Sequence, residues 1–223
     1  QAEELAGRMH LSAEDTDLAR LIALLHDIGR FEQLKRYDSF EPGTMDHAAY
    51  GVKVLFDEGM IRRFLPDDKW DSIIYTAIAH HSDYELPEIS DPQTLLHAKL
   101  IRDEDKLDNC RVKLVDSTST FINVSEEELG TQDITQKVYE TVFENKCILS
   151  ADRVTQMDYW VSYIVYFFDI NFKESFDIIA ENDYLNRIID RIPYSNPVTK
   201  EQMEYIRVYM QNFINSHTNS QSF

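Results

Sequence analysis

The chain has 223 residues, 43% of them hydrophobic, which is enough apolar material for one large core or two small ones. No run approaches the ~20 apolar residues of a membrane span, and no charged start leads into a short apolar run, so the sequence predicts a soluble, cytoplasmic protein. A formal charge of -18 argues against non-specific nucleic-acid binding, which needs a basic footprint, but leaves room for a phosphorylated small molecule at a metal site.

Gln1 to Leu11 reads as the back half of a helix, already in register at its first residue and without an initiating Met, so a longer protein is expected. Ser12 and Asp15 form a capping pair, which predicts a helix over Ala13–Ile28 that stops at Gly29. Within it Leu18, Leu21, Ile22 and Leu25 recur at i, i+3, i+4 and i+7, and this apolar stripe runs into His26-Asp27. An ionised Asp at the inner end of a core helix costs several kcal/mol unless a cation or a hydrogen-bond network compensates it, and a metal is the simplest compensation.

Phe31 to Asp46, with Pro42-Gly43 and mixed charges, predicts a loop. Asp46 then reads as an N-cap, opening a helix with His47 in its first turn and Gly51, Val52, Val54, Leu55 and Phe56 behind it. From Pro66 another helix is predicted, with Ile74, Ala77, Ile78 and His81 on one stripe and His80 about 100° round. Asp91-Pro92 is a strong start signal. The helix after it puts Ile101, Asp105 and Asp108 on one face, and places His97 roughly 12 Å along the axis from Asp105, as a core or surface histidine.

Helices are predicted over Asp133–Leu149, Ser150–Phe172, Glu174–Ile192 and Thr199–Ser216, with Ser150 as an N-cap and Thr199 with Gln202 as a capping box. Trp160, Tyr163, Ile164, Phe167 and Phe168 make an aromatic stripe that reads as core or as the interface of a homodimer. Cys110 and Cys147 read as buried free thiols, and Ser216 to Phe223 as a polar, frayed end. Strand-like alternation is missing throughout, so the fold class is all-α.

The segments LLHDIGR, DHAAYG, AIAHH and IRDEDKLDN, in that order over about the first 110 residues, resemble the HD-domain metal-dependent phosphohydrolase superfamily. The resemblance implies a helical bundle with a metal site in its middle: residues 1–115 as the HD core with an incomplete first helix, and 116–223 as a helical extension packed on the same domain. Asp27 would bridge two cations, with His26 and Asp105 on the first and His47, His80 and His81 on the second. One or two divalent transition metals are implied, and the imidazole and carboxylate ligands suit Fe, Mn, Co, Ni or Zn better than Mg or Ca. The family also uses an earlier His on its first helix. His10 is the only candidate here and falls near a helix end, so that ligand is expected upstream of Gln1.

The implied activity is hydrolysis of a phosphoester, in a nucleotide or other small phosphorylated metabolite, by a metal-bound hydroxide without a protein nucleophile. Arg30 stands where the family often places a cation that can grip a phosphate oxygen, with Lys106 as a second substrate contact. Asp108 is a candidate to orient a ligand or take a proton. Two alternatives on the same scaffold are a di-iron oxygenase and a non-catalytic nucleotide sensor. Ser82-Asp83-Tyr84 after the paired histidines departs from the cyclic-di-GMP phosphodiesterase branch, and Arg30 replaces the Glu of the five-prime deoxynucleotidase branch.

Overall fold

The computed structural model describes residues 1–39 and 44–218; the turn expected at Pro42-Gly43 and residues 219–223 of the polar end lie outside the described residues. All regular structure among the described residues is helical, as the sequence predicts. None of the described helices is long and apolar enough to cross a membrane. The chain forms two compact units, Gln1–Asp105 and Lys106–Phe223. This division falls inside a helix, ten residues before the boundary expected at 115/116.

In the first unit, α1 (Ala2–Arg8) leads to His10, which is exposed and left-handed at φ 54. α2 (Ala13–Leu25) starts at Ser12, whose hydroxyl accepts from Asp15 N at 3.0 Å, and it buries Leu18, Ala19, Ile22 and Leu25. It ends three residues earlier than predicted. Residues 26–29 form tight turns, with Ile28 N donating to Leu25 O at 3.0 Å and Arg30 N to Asp27 O at 2.9 Å. A further helix, α3 (Arg30–Tyr37), follows where a loop was predicted. Its apolar residues point outward, with Phe31 78% exposed, while the buried position is the polar Gln33, so no inward apolar period marks it in the sequence.

α4 (His47–Val52) is capped by Asp46, whose Oδ1 accepts from Ala49 N at 2.9 Å, and it continues as a π-helical turn over Lys53–Asp57. α5 (Asp71–His80) begins later than the predicted Pro66, because Asp67 accepts from Lys69 N and closes a local turn instead. α6 (Pro92–Val115) starts as predicted, with Asp91 Oδ2 accepting from Thr94 N at 2.8 Å. Leu18, Ile22, Leu25, Leu55, Ile74, Ile78 and Ile101 from these helices share one buried cluster, which fixes the ends that carry the ligand candidates.

The second unit holds α7 (Thr118–Ile122), α8 (Glu126–Leu129), α9 (Gln136–Val142), α10 (Gln156–Val165), α11 (Lys173–Glu181), α12 (Tyr184–Asp190) and α13 (Pro197–Thr218). Three of the four long helices predicted here are shorter or interrupted, while the fourth, α13, runs two residues further at each end than predicted. Ser150 opens only a 3-10 turn, and the cap of α10 is Thr155, which forms a capping box with Asp158. Asp158 is fully buried and also accepts from Thr135 N and Val154 N, each at 2.9 Å. The predicted helix over 174–192 breaks at Asp183, which is left-handed at φ 52. Thr199 is not a cap: it is buried inside α13 and donates to Gln132 O, while Asn196 Oδ1 takes the first amides, Val198 N at 3.0 Å and Thr199 N at 3.3 Å. Trp160, Ile164 and Phe167 are core residues, with Phe121 stacked on Trp160. Cys110 is buried and Cys147 half-buried.

Candidate metal centre

The site begins with two glycines. A Cβ on Gly29 would lie 2.0 Å from the carbonyl oxygen of His47 and 2.9 Å from Gly51 N, and one on Gly51 would meet Ile28 Cγ2 at 3.3 Å. Gly29 has to lack a side chain for the 26–29 turn to seat against the first turn of α4, and Gly51 leaves room for the Ile28 methyl beside it. That seating brings Asp27 Oδ1 to 3.4 Å from His47 Nε2.

α5 delivers His81 to the same point. Its Nε2 lies 3.0 Å from His47 Nε2 and 3.6 Å from Asp27 Oδ1. On the other side of the carboxyl group, Asp27 Oδ2 is 3.6 Å from His26 Nε2, which is in turn 3.9 Å from Asp105 Oδ1 on α6. The two oxygens of Asp27 therefore face two different sets of imidazoles. His26, Asp27 and His81 each place a ligand atom within 4.8 Å of the other two.

A family model for the HD domain matches residues 1–110. These residues are an HD domain. The match places them in the HD-domain metal-dependent phosphohydrolase superfamily, whose members bind divalent metals. No curated protein and no solved structure matches the chain.

The donor set of this HD domain fits such an ion. Bonds of ~2.1 Å put neighbouring ligands about 3.0 to 3.4 Å apart, the range in which the His47 and His81 nitrogens lie. Imidazole tautomers agree with the same assignment. His26 Nδ1 donates to Ala23 O at 2.8 Å and His81 Nδ1 to Ile78 O at 2.7 Å, so in the neutral, metal-ligating form of each ring the lone pair of Nε2 is the one turned inward.

The electrostatics show how strongly the site calls for positive charge. Burial opposes charge on His26, yet Asp105 and Asp27 outweigh it and raise the ring to about 9. Burial likewise opposes charge on Asp27, but His81, His26 and Arg30 hold its carboxyl well below the usual range. His47 is pushed down to about 4 by burial and by the charges of Arg30 and His81. An acidic pair thus draws a proton onto one imidazole while another stays neutral and ready to donate a lone pair.

Not every candidate joins this group. His80 is half-exposed and its Nδ1 pairs with Asp83 Oδ2 at 2.6 Å. Lys106 is buried and ion-paired to Asp169 at 2.7 Å, and Asp108 is paired to Arg111 at 2.8 Å. His97 is a core histidine held by Asp15 at 3.2 Å, and exposed His10 stands at the end of α1. Arg30 does approach the centre, with Nε 3.4 Å from Asp27 Oδ1.

Arg102, which the sequence did not single out, supports the backbone of the centre. It is 2% exposed, and Nη1 donates to the carbonyls of His80 at 3.0 Å and Asp83 at 2.7 Å, with His81 O at 3.4 Å. These carbonyls lie at and just beyond the C-terminal end of α5, so the buried cation pins the backbone that carries both histidines. The spacing 98, 101, 102, 105 puts Arg102 on the inward stripe of α6, which is the signal that could have found it. Glu104 beside it is buried, and burial raises its carboxyl to about 8.

Proposed function

We propose that this chain is a metal-dependent phosphohydrolase that cleaves a phosphoester of a nucleotide or another small phosphorylated metabolite. The observation that carries the reading is the Asp27 carboxylate, whose two oxygens face His47 and His81 on one side and His26 on the other, with the Arg30 guanidinium against it. His26, Asp27, His47, His81 and Asp105 would hold one or two divalent transition ions. When bound, such ions supply Lewis acidity and lower the pKa of a water at neutral pH.

The residues of the chain do the rest. The Nδ1 hydrogen bonds of His26 and His81 fix which nitrogen faces inward, and Asp27 holds the two imidazole sets in register. Its side chain is 44% exposed, so a small phosphorylated substrate can reach it from solvent. Arg30 offers a planar donor fork for the non-bridging oxygens of the phosphate.

The test is elemental analysis of the purified protein beside Asp27→Ala, followed by phosphatase assays on nucleotides and sugar phosphates. Bound transition metal in the wild type, lost in Asp27→Ala together with all phosphatase activity at unchanged helicity, supports the reading. Hydrolysis that survives in Asp27→Ala, or a wild type that takes up no metal after reconstitution, refutes it.

A further inference from the structure

Gln33 is fully buried, yet it carries a polar side chain on a helix whose apolar residues face solvent. Burying an amide costs about 1–3 kcal/mol unless both its ends are paired, so its partners state its purpose. Its Nε2 donates to Thr44 Oγ1 at 2.8 Å, and its Oε1 accepts from Arg30 Nη1 at 2.9 Å. Arg30 Nε leans in turn on Asp27 Oδ1 at 3.4 Å. Thr44, Gln33, Arg30 and Asp27 thus form one chain of hydrogen bonds that ends on the carboxylate at the heart of the metal centre.

The guanidinium is anchored through two of its three nitrogens. Among the described residues Nη2 is left uncommitted, on a side chain 31% exposed beside the centre. An arginine on a flexible stem loses rotamer entropy when it grips an anion; one whose fork is already fixed loses less. We propose that Gln33 is a positioning residue that presents the Arg30 guanidinium to the phosphate of the substrate. The proposal rests on the phosphohydrolase reading above, and it adds a residue that carries no charge, binds no metal and touches no substrate.

The experiment is titration of inorganic phosphate into the full chain loaded with Mn2+, by calorimetry, with metal content measured for every variant. Gln33→Met keeps the volume and removes both hydrogen bonds. It should retain metal and weaken phosphate binding by about tenfold, the scale of one charge-assisted contact. Arg30→Met should weaken it at least as much. The double variant Arg30→Met/Gln33→Met should bind no more weakly than Arg30→Met alone, because Gln33 acts through Arg30. Thr44→Val, at a half-buried position, should weaken binding by about threefold and carries the same test if Gln33→Met fails to fold.

Wild-type affinity in Gln33→Met, or additive losses in the double variant, overturns the proposal and leaves the phosphohydrolase reading standing. A metal-loaded wild type that binds no phosphate overturns both.

Discussion

Replacing Gly29 with alanine tests how the metal centre is assembled, because the added Cβ would sit 2.0 Å from His47 O and 2.9 Å from Gly51 N. Both neighbours are backbone atoms, so no side chain can swing aside. Ordinary contact needs roughly 3.4 Å or more, which means that the 26–29 turn and α4 must part by about 1 Å or more. Overpacking of this kind costs typically 1–3 kcal/mol, and with backbone on both sides about 3 kcal/mol is expected. The same displacement widens the 3.4 Å gap between Asp27 and His47, so metal affinity should fall about 10- to 100-fold, as it does when ligand orientation is lost.

Gly7 is the control. It lies inside α1 with nothing within 4 Å of an added Cβ, and Gly7→Ala should stabilise by about 0.5–1 kcal/mol. Urea unfolding, combined with metal titration of the two variants and the wild type, reads both quantities. A Gly29→Ala protein that unfolds at the wild-type midpoint and binds metal with wild-type affinity would show that the close approach of the turn to α4 does not build the site.

Three further outcomes follow from the same geometry. Arg102→Met should cost about 3 kcal/mol by thermal melting and weaken metal binding, since it strips a buried cation from the carbonyls of His80 and Asp83; wild-type melting and affinity would refute its role. In EDTA-treated protein the two shifted histidines act in opposite directions. The raised pKa of His26 contributes stability present below pH 6.5 and lost as pH rises through about 9. His47, lowered to about 4, contributes stability that is lost as pH falls from 6.5 towards 4. Glu104, raised to about 8, also loses its contribution as pH rises, so denaturant midpoints should fall steadily from pH 6.5 to 9, and a profile flat over that window would contradict the site's charge balance. Cys110, which burial pushes up to about 12, should resist iodoacetamide at pH 8 in the native protein and react only on unfolding; rapid native labelling would show that it is accessible.

The signals legible in the sequence were those with a local cause. Ser12, Asp46 and Asp91 all cap helices, because a short oxygen-bearing side chain three residues before a free amide needs nothing from the rest of the fold. The motif order placed His26, Asp27, His47, His81 and Asp105 on elements that the structure brings to one point. What stayed hidden depends on tertiary contact. α3 has its apolar side outward and an amide inward, so periodicity misreads it. The long helices expected after 133 break where Asp183 turns left-handed and where Thr155 restarts the chain. Thr199 has the composition of a cap, but Asn196 makes the bonds. The resemblance grouped His80 with its neighbour, and only coordinates reveal that it turns to Asp83.

α6 has a consequence for how such a chain can be divided or inherited. The family signature stops at residue 110 and the first compact unit at Asp105, but one uninterrupted helix runs from Pro92 to Val115. A gene truncated at either point would leave Asp105 at, or little more than one turn from, a fraying end, where helical backbone is poorly held. A ligand there would wander through conformations that no metal selects. Recombination that swaps the C-terminal half has to join at Asp116-Ser117, where the helix is finished, so the heritable module is longer than the motif by which it is recognised.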